Sequence, residues 1–218
     1  YTKRKVELTP QQKKYYKELK TRMVMQAAGE EVTAVNAAVN MNKLLQISAG
    51  AVYTDEGDAL EFDIKNRYNV LMESVQEARG KVLVFVPFRH AISLLSDKLS
   101  TDGITNEIIQ GSVTAAKRTD AFRRFQTQQD PRVLVIQPAA AAHGVTLTAA
   151  DTVVWWAPTS SLEIYSQANA RVHRAGQVNK CTVVQLYGSP VEQHVYKLLD
   201  ARIDVHTKII DLYNELLD

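Results

Sequence analysis

From residue 65 onward, short apolar runs alternate with segments whose apolar residues recur every three or four positions. The apolar runs cover residues 81–86, 104–109, 132–136, 152–156 and 182–187. Helices are predicted over residues 65–79, 89–99, 115–127 and 161–173, with a long C-terminal helix from Val191. Short strands without polar alternation, interleaved with helices, are typical of a parallel sheet that helices cover on both faces. The pattern therefore predicts an α/β fold.

The first 64 residues have a different pattern. Thr9-Pro10-Gln11-Gln12 combines an N-cap hydroxyl, a proline at the first helical position and a glutamine that closes a capping box. A second helix is predicted over 33–48, and residues 49–63 read as a loop or small hairpin. We therefore divide the chain into an N-terminal helical extension with an acidic loop, residues 1–64, and an α/β domain, residues 65–218.

The composition is that of an ordinary globular protein. The 218 residues are 45% hydrophobic and 23% charged, which excludes wholesale disorder. The single cysteine, Cys181, excludes a disulfide within the chain and a cysteine-rich zinc site. No run approaches the ~20 apolar residues of a membrane helix, and no signal peptide is recognisable. We expect an intracellular protein without a membrane partner, and the start at Tyr1 suggests part of a longer chain.

Charge is distributed unevenly along the sequence. The formal net charge is only +2, yet residues 1–22 contain eight basic and two acidic residues, a local charge of +6. Residues 55–63 contain five acidic residues and no basic one. Each segment is interpreted first as a solvated face, and a nucleic-acid partner for the basic one needs support from elsewhere.

Function in an open parallel sheet is expected in the loops beyond the carboxyl ends of the strands. One later segment also carries a distinctive set of polar residues. Ser160–Glu163 reads as a capping box that opens a helix. Gln167, Arg171 and Arg174 are spaced four and three apart along that helix, so they are predicted to share one face, and Gln177 follows Gly176. Two guanidinium groups and an amide suit a polyphosphate, although a solvated basic face fits the spacing equally well.

Residues 167–177 read Gln-Ala-Asn-Ala-Arg-Val-His-Arg-Ala-Gly-Gln. This segment resembles the QxxxRxHRxGQ motif of the Swi/Snf-type ATPases, within the superfamily-two helicases. Other segments resemble further motifs of the family, in the same order along the chain. Residues 81–88 resemble its motif IV strand, and residues 108–112, with Arg118 and Phe125, resemble its "DGS…R…F" segment. Residues 133–156 resemble its motif V and the following strand, and residues 190–193 resemble its "TVEE" helix entry. The resemblance covers nearly the whole chain. Within the family, the chain looks more like the bacterial or phage relatives.

The resemblance implies the second of two RecA-like lobes. The phosphate loop belongs to the first lobe, and no G-x-x-x-x-G-K-[ST] occurs here. Asp55–Asp58 spells a DExD box, but in a polar loop without a phosphate loop before it, so a solvated turn is favoured over a magnesium site. In the motif V segment, Ala139 and Thr146 stand where the family has arginine and asparagine. Phosphate or ribose contacts there are expected through backbone N–H groups.

The resemblance also implies roles for individual residues. Arg171 and Arg174 are expected to act as arginine fingers, and Gln167 to position phosphate or water. The nucleotide is expected to contact Gly144, Thr146 and Gln177. The nucleic acid is expected to contact Phe88, Arg89, Gln110, Gly111, Ser112, Lys117 and Arg118. Phe88–Arg89 could equally well form a helix cap instead of a nucleic-acid contact. Lys117 and Arg118 could equally well belong to a solvated face.

These roles imply a motor ATPase of which the chain is one half. ATP and magnesium would be held mainly by the N-terminal RecA-like lobe, and double-stranded DNA would be contacted through its phosphates without base readout. The isolated chain is expected to be inactive, and the branch implies the cytoplasm of a bacterial or phage-infected cell. The alternative is a non-catalytic nucleic-acid-binding or protein-interaction module that retains the fold. A glycosyltransferase-like lobe has a similar pattern but does not account for the arginine spacing.

Overall fold

The computed structural model describes residues 1–29, 31–54, 56–141 and 144–218. The strands are β1 (Thr2–Lys5), β2 (Ala51–Tyr53), β3 (Ala59–Glu61), β4 (Lys81–Phe85), β5 (Asn106–Ile109), β6 (Val133–Ile136), β7 (Ala150–Trp155) and β8 (Thr182–Tyr187). The helices are α1 (Pro10–Gly29), α2 (Ala34–Ala49), α3 (Lys65–Glu77), α4 (Arg89–Thr101), α5 (Ala115–Thr127), α6 (Leu162–Asn169), α7 (Pro190–Asp200) and α8 (Ile209–Leu217). Strands β2 and β3 form a separate antiparallel hairpin.

The other six strands form one parallel sheet in the order β1-β8-β7-β4-β6-β5. Alternate residues of β4 face opposite sides of this sheet. Val82 and Val84 belong to an apolar cluster with residues of α3 and α4. Leu83 and Phe85 belong to a second cluster with residues of α1, α2 and α5 to α8. The predicted α/β class, with helices on both faces, is confirmed.

Strand β1 was not predicted. Thr2–Lys5 pairs in parallel with β8 at the edge of the sheet, with Arg4 opposite Leu186. The sequence of this strand, TKRK, contains no apolar residue, so no hydrophobic pattern indicates it. Charged side chains on an edge strand also discourage pairing with a further chain. Residues 1–64 thus contribute a strand to the sheet, while the division at residue 64 stays a prediction.

The predicted long C-terminal helix is two helices, α7 and α8. Arg202 adopts a positive φ of 57°, and the backbone N–H of Ile203 donates to the carbonyl of Leu198 at 2.9 Å. This bond closes α7 in the manner of a Schellman motif, whose left-handed residue is more often glycine. A short 3₁₀ turn, Val205–Lys208, then leads into α8.

A buried ion pair joins three elements at the carboxyl ends of β7 and β8. Arg67 of α3 and Glu192 of α7 are 3% and 0% exposed, with Nη1 and Oε1 2.8 Å apart. Arg67 also donates to the carbonyl of Trp156. The Glu192 carboxylate accepts from the backbone N–H groups of Gly188 at 2.7 Å and Ser189 at 3.1 Å. Both charges therefore have several hydrogen-bonding partners although both side chains are buried.

Among the described residues, no helix combines the length and the apolar character that crossing a bilayer requires.

Candidate nucleotide and nucleic-acid sites

The arginine motif lies mainly on a turn rather than on a helix. Helix α6 ends at Asn169, and residues 170–176, which we call the arginine turn, continue as successive turns up to Gly176, with its φ of 95°. The prediction that Gln167, Arg171 and Arg174 share one helical face is therefore wrong. The predicted capping box from Ser160 to Glu163 is also wrong, because Ser161 is the N-cap and accepts from the backbone N–H of Ile164 at 3.3 Å, and Ile164 has no side-chain acceptor to complete a box.

Hydrogen bonds from Leu147 and Gln177 hold the arginine turn that follows the helix. The N–H of Leu147, just before β7, donates to the carbonyl of Arg171 at 3.0 Å. The amide of Gln177 donates to the carbonyl of Val172 at 3.0 Å. A helix that continued would use these two carbonyls for its own N–H groups four residues later. The arginine turn is thus fastened to the segment that precedes β7.

Arg174 contacts two of the residues expected to bind nucleotide. Its Nη1 donates to the carbonyl of Gly144 at 3.2 Å and lies 3.5 Å from the hydroxyl oxygen of Thr146. Its Nε donates to the carbonyl of Ala170 at 3.2 Å, and the side chain as a whole is exposed. The guanidinium is therefore held by neutral oxygens at the surface. Phosphate oxygens form stronger, charge-assisted bonds with such a group.

Arg171 differs from Arg174 in burial. Only 4% of Arg171 is exposed. Burial lowers the pKa of its guanidinium, and the positive charge of Arg174 lowers it further. A guanidinium nevertheless keeps its charge in proteins. Arg174 is thus exposed at the surface, whereas Arg171 is buried, and the roles of both as arginine fingers stay predictions.

The two glutamines of the motif already have partners within the chain. The amide of Gln167 donates to Oε1 of Glu163 at 2.9 Å. The amide of Gln177 donates to the carbonyls of Ala150 at 2.8 Å and Thr148 at 3.3 Å, besides that of Val172. Gln177 thereby joins the arginine turn to the first residue of β7. Their roles toward water and nucleotide stay predictions.

A second group of site residues meets at the carboxyl edge of the sheet, where β4, β5 and β6 end. The backbone N–H of Gly111 donates to Oε1 of Gln137 at 3.2 Å. A side chain on Gly111 would come within 3.7 Å of the Arg89 guanidinium. Phe88 stands at the N-cap of α4 without a side-chain capping bond. Gln137 is not among the residues predicted from the sequence to form the site. Its position directly after β6 is the signal that could have indicated it.

The remaining candidates of this group flank that meeting point. Ser112 is exposed, and Oε1 of Gln110 is buried without a hydrogen-bond partner among the described residues. Thr114 caps α5 by accepting from the backbone N–H of Lys117 at 3.4 Å, and the Lys117 side chain is exposed. Arg118 donates to the carbonyl of Val113 at 3.2 Å. A helix N-terminus beside exposed cations is a favourable setting for phosphate.

The two groups lie at different places on the sheet. The Arg89 and Gly111 group lies at the carboxyl edge, where the general rule for parallel sheets places ligands. The arginine turn is joined through Gln177 to the first residue of β7, at the amino edge. The chain therefore presents two separate polar surfaces, one carrying the predicted nucleic-acid residues and the other the predicted nucleotide residues.

Residues 56–58 of the DExD-like segment lie in the turn between β2 and β3. Asp55 lies outside the described residues, as does His143 of the motif V segment. Glu56 and Asp58 are exposed, and the backbone N–H of Thr54 donates to the carbonyl of Asp58 at 2.7 Å. Within the described ranges, no three histidine, cysteine or acidic side chains are grouped so as to hold a metal ion.

Comparison with known proteins decides the family. A family model for the helicase conserved C-terminal domain matches residues 66–176, which include Arg89, Gly111, Gly144 and both arginines. The chain belongs to this family.

The chain also resembles curated helicases and solved structures of ATPase domains. An uncharacterized ATP-dependent helicase of Mycoplasma genitalium is 25% identical over 213 residues, which is 94% of this chain and 20% of that protein. The C-terminal part of the Fun30 ATPase domain superposes with a TM-score of 0.79 at 16% identity, over 100% of this chain and 96% of that one. The Sulfolobus solfataricus SWI2/SNF2 ATPase core in complex with dsDNA gives a TM-score of 0.77 at 19% identity, over 99% and 48% of the two chains.

The family match confirms the predicted helicase C-terminal domain, and the superpositions confirm the RecA-like fold, which resembles the solved structures of Swi2/Snf2 ATPases. The chain spans a fifth or less of the length of the curated relatives it matches. The bacterial or phage branch stays a prediction. Helices α1 and α2 lie before the matched segment, so the family model leaves their role open.

Proposed function

We propose that this helicase C-terminal domain is the second motor lobe of a nucleic-acid-dependent ATPase of the Swi2/Snf2 type. The observation that carries the proposal is the contact of Arg174 with Gly144 and Thr146, two residues to which the motif assigns nucleotide. Because the Arg174 guanidinium is exposed, it can exchange its hydrogen bonds with neutral oxygens for bonds with phosphate oxygens. The phosphates would belong to a nucleotide that a facing lobe binds. The protein would work in the cytoplasm of a bacterial or phage-infected cell.

In this proposal ATP lies between the two lobes. Arg174 stabilises the charge that develops on the transferred phosphoryl group. Arg171, buried beneath the turn, adds positive charge, and Gln167 helps to position phosphate or water. Magnesium in nucleotide sites is usually held by one or two carboxylates together with the substrate phosphates. We assign it to the phosphate-loop lobe, as the resemblance implies, and no step proposed for these residues depends on it.

The nucleic acid is proposed to be double-stranded DNA held at the carboxyl edge. Arg89, Lys117 and Arg118 are cations there, and the backbone N–H groups at the start of α5 add further donors. Such groups contact phosphates and carry little sequence information. ATP binding would close the lobes and hydrolysis would open them, so that two lobes gripping one backbone advance along it.

The isolated 218-residue chain is expected to hydrolyse no ATP and to bind it weakly. It has arginines for the phosphates but no phosphate-loop motif. The measurement is phosphate release with and without duplex DNA, and the control is the same assay on a protein that joins this chain to a phosphate-loop lobe. DNA-stimulated phosphate release by the purified chain alone would contradict the proposal.

The same chain is expected to bind duplex DNA weakly and without sequence preference. Because the contacts are to phosphates, affinity should fall steeply as salt rises, with a slope of about −0.9 in log–log form for each phosphate neutralised. Fluorescence anisotropy with two duplexes of unrelated sequence, titrated between low and physiological salt, measures both properties. An affinity that held at physiological salt, or that differed strongly between the duplexes, would exclude backbone tracking.

One observation favours the alternative of a non-catalytic module. The segment after β6 forms a 3₁₀ turn, Pro138–Ala141, in which Ala139 is exposed where the family has arginine. A module of this kind would bind DNA as described, but would show no DNA-stimulated ATPase activity even when joined to a phosphate-loop lobe. The two-lobe control therefore distinguishes the two functions.

A further inference from the structure

Helix α1 carries a row of lysines that the proposed function does not use. Residues 10–22 contain five basic residues and one acidic residue, a local charge of +4. Lys14, Lys17 and Lys20, which we call the lysine stripe, follow one another at intervals of three. The helix has 20 residues and starts where β1 leaves the sheet. The stripe is thus a concentrated charge on a regular element.

The stripe faces away from the core. The buried side of α1 is formed by Gln12, Leu19 and Met23. An α-helix turns by about 100° per residue, so the centre of the stripe lies about 140° from that side. Lys14 and Lys17 are exposed and Lys20 is half-buried. The three residues span about 9 Å along the helix axis, and the exposed part of the stripe is that of Lys14 and Lys17.

Acidic side chains do not neutralise the stripe. Within the described ranges, Lys14, Lys17 and Lys20 form no ion pair, whereas the neighbouring Lys13 lies 3.4 Å from Glu7. Other exposed cations of the protein do have partners, as Lys208 has Asp211 at 3.1 Å. Like charges three apart on a helix repel one another and weaken it by a few tenths of a kcal/mol per pair. A polyanionic partner would attract all three lysines and so offset the repulsion between them.

Two anchors fix the position of the stripe. The hydroxyl of Tyr16 accepts from the backbone N–H of Val191 at 3.3 Å, where α7 begins beyond the carboxyl end of β8. The carbonyl of Met23 accepts from the hydroxyl of Tyr213 in α8 at 3.3 Å. Lys14 and Lys17 therefore flank a residue held at the carboxyl edge, the same edge at which Arg89 and Gly111 lie.

We propose that the lysine stripe is a second DNA-contact surface, which holds one phosphate backbone of a duplex that also rests on the carboxyl edge. The stripe is expected to take phosphates, because the lysine ammonium group acts as a compact point charge on a flexible stem and does not read bases. Duplex DNA carries one charge per about 1.7 Å of its axis, so it supplies several phosphates along the stripe. This inference rests on the proposed function only in taking DNA as the partner.

The test compares two triple variants of the 218-residue chain. Lys14→Gln, Lys17→Gln and Lys20→Gln removes the stripe, and Gln keeps nearly the same helix propensity as Lys. The matched control makes the same charge change at three exposed cations outside the stripe: Arg79→Gln, Lys180→Gln and Lys197→Gln. Thermal melting establishes that both variants are folded. A third variant, with arginine at the three stripe positions, keeps the charge.

Removing the stripe is expected to reduce the log–log salt slope of duplex binding by about 2 to 3, and affinity at low salt by about tenfold or more. The control and the arginine variant should keep the slope of the unchanged chain. An unchanged slope in the stripe variant, while Arg89→Gln with Lys117→Gln loses binding, would overturn the inference and leave the proposed function intact. An equal reduction of the salt slope in the control variant would also overturn the inference. It would show that removing any three exposed positive charges weakens DNA binding to the same extent.

Two further results separate the other possibilities. Binding to phosphatidylserine vesicles that is lost in the stripe variant, while DNA binding is unchanged, would make the stripe a membrane-surface contact and overturn the inference. Absence of duplex binding by the unchanged chain at low salt would overturn both the inference and the proposed function.

Discussion

Replacing Arg174 by alanine in a protein that joins this chain to a phosphate-loop lobe is expected to lower DNA-stimulated ATP hydrolysis by about 10³- to 10⁵-fold. The reason is electrostatic: a guanidinium supplied from the facing lobe stabilises charge that develops during phosphoryl transfer. Arg174→Lys is expected to lose most of the activity as well. An ammonium on a flexible stem does not reproduce the planar fork that grips two oxygens.

Stability separates a role in hydrolysis from a role in folding. The Arg174 side chain is exposed, and its partners are three oxygens at the surface, so Arg174→Ala should barely change the melting temperature. DNA affinity should also change little, because the arginine turn lies at the amino edge of the sheet. The matched control is Lys117→Ala, which should weaken DNA binding and leave the maximal rate at saturating DNA nearly unchanged.

Arg171 is expected to behave differently from Arg174. It is buried, so Arg171→Ala leaves a cavity in the arginine turn and should lower stability as well as hydrolysis. Its variant therefore tests the site less cleanly. Near-normal turnover in Arg174→Ala, together with loss of turnover in Lys117→Ala, would show that the nucleotide site has been assigned to the wrong residues.

The sheet could be predicted from the sequence because most of its strands are buried on both faces. Such strands are continuous apolar runs, and β4, β6, β7 and β8 are all found where the runs lie. The edge strand β1 has no such signal. It is defined only by backbone hydrogen bonds to β8, about 180 residues later in the chain, and no local pattern records a pairing of that kind.

The end of α6 could not be predicted for a related reason. Tyr165, Ala168 and Val172 keep the spacing of a buried helical face, and glycine first appears at position 176. The helix nevertheless ends at Asn169: the N–H of Arg171 donates to the carbonyl of Ala168, three residues back, at 3.1 Å, and the carbonyl of Arg171 accepts from Leu147 at 3.0 Å. Tertiary hydrogen bonds overrode a periodicity that was locally consistent with a longer helix.

The resemblance also grouped residues that the structure brings into contact, while the roles predicted for them stay predictions. The motif resemblance named Arg174, Gly144 and Thr146 without any geometry, and these three residues are in contact. Gln137, which contacts Gly111, was missed, since a single glutamine after a strand has no distinctive spacing. A motif preserves residue identities at fixed positions, whereas contacts between separate loops depend on the whole fold.

The ion pair of Arg67 and Glu192 was missed entirely, and it gives the largest stability effect that we expect. Replacing one partner, as in Glu192→Gln or Arg67→Met, should lower the free energy of unfolding by about 3–5 kcal/mol. The loss is large because the remaining charge stays buried without its counter-ion. For a domain whose total stability is about 5–15 kcal/mol, such a change is a large fraction.

The double variant distinguishes a buried charge from a loss of packing. Arg67→Met with Glu192→Gln removes both charges, so it should be more stable than the sum of the single losses predicts, by about 1–3 kcal/mol. Urea unfolding of the four chains measures this coupling. The exposed pair of Lys208 and Asp211 is the control, and Lys208→Gln should change stability by less than about 1 kcal/mol.

The magnitude of that coupling depends on how many partners each charge keeps. After Arg67→Met, the Glu192 carboxylate still accepts from the backbone N–H groups of Gly188 and Ser189. After Glu192→Gln, Arg67 keeps the carbonyl of Trp156, a single neutral acceptor, and the amide that replaces the carboxylate. We therefore expect Glu192→Gln to be the more destabilising single change. Single variants that lose less than about 1 kcal/mol, or strictly additive losses, would show that the pair does not hold α3, β7 and α7 together.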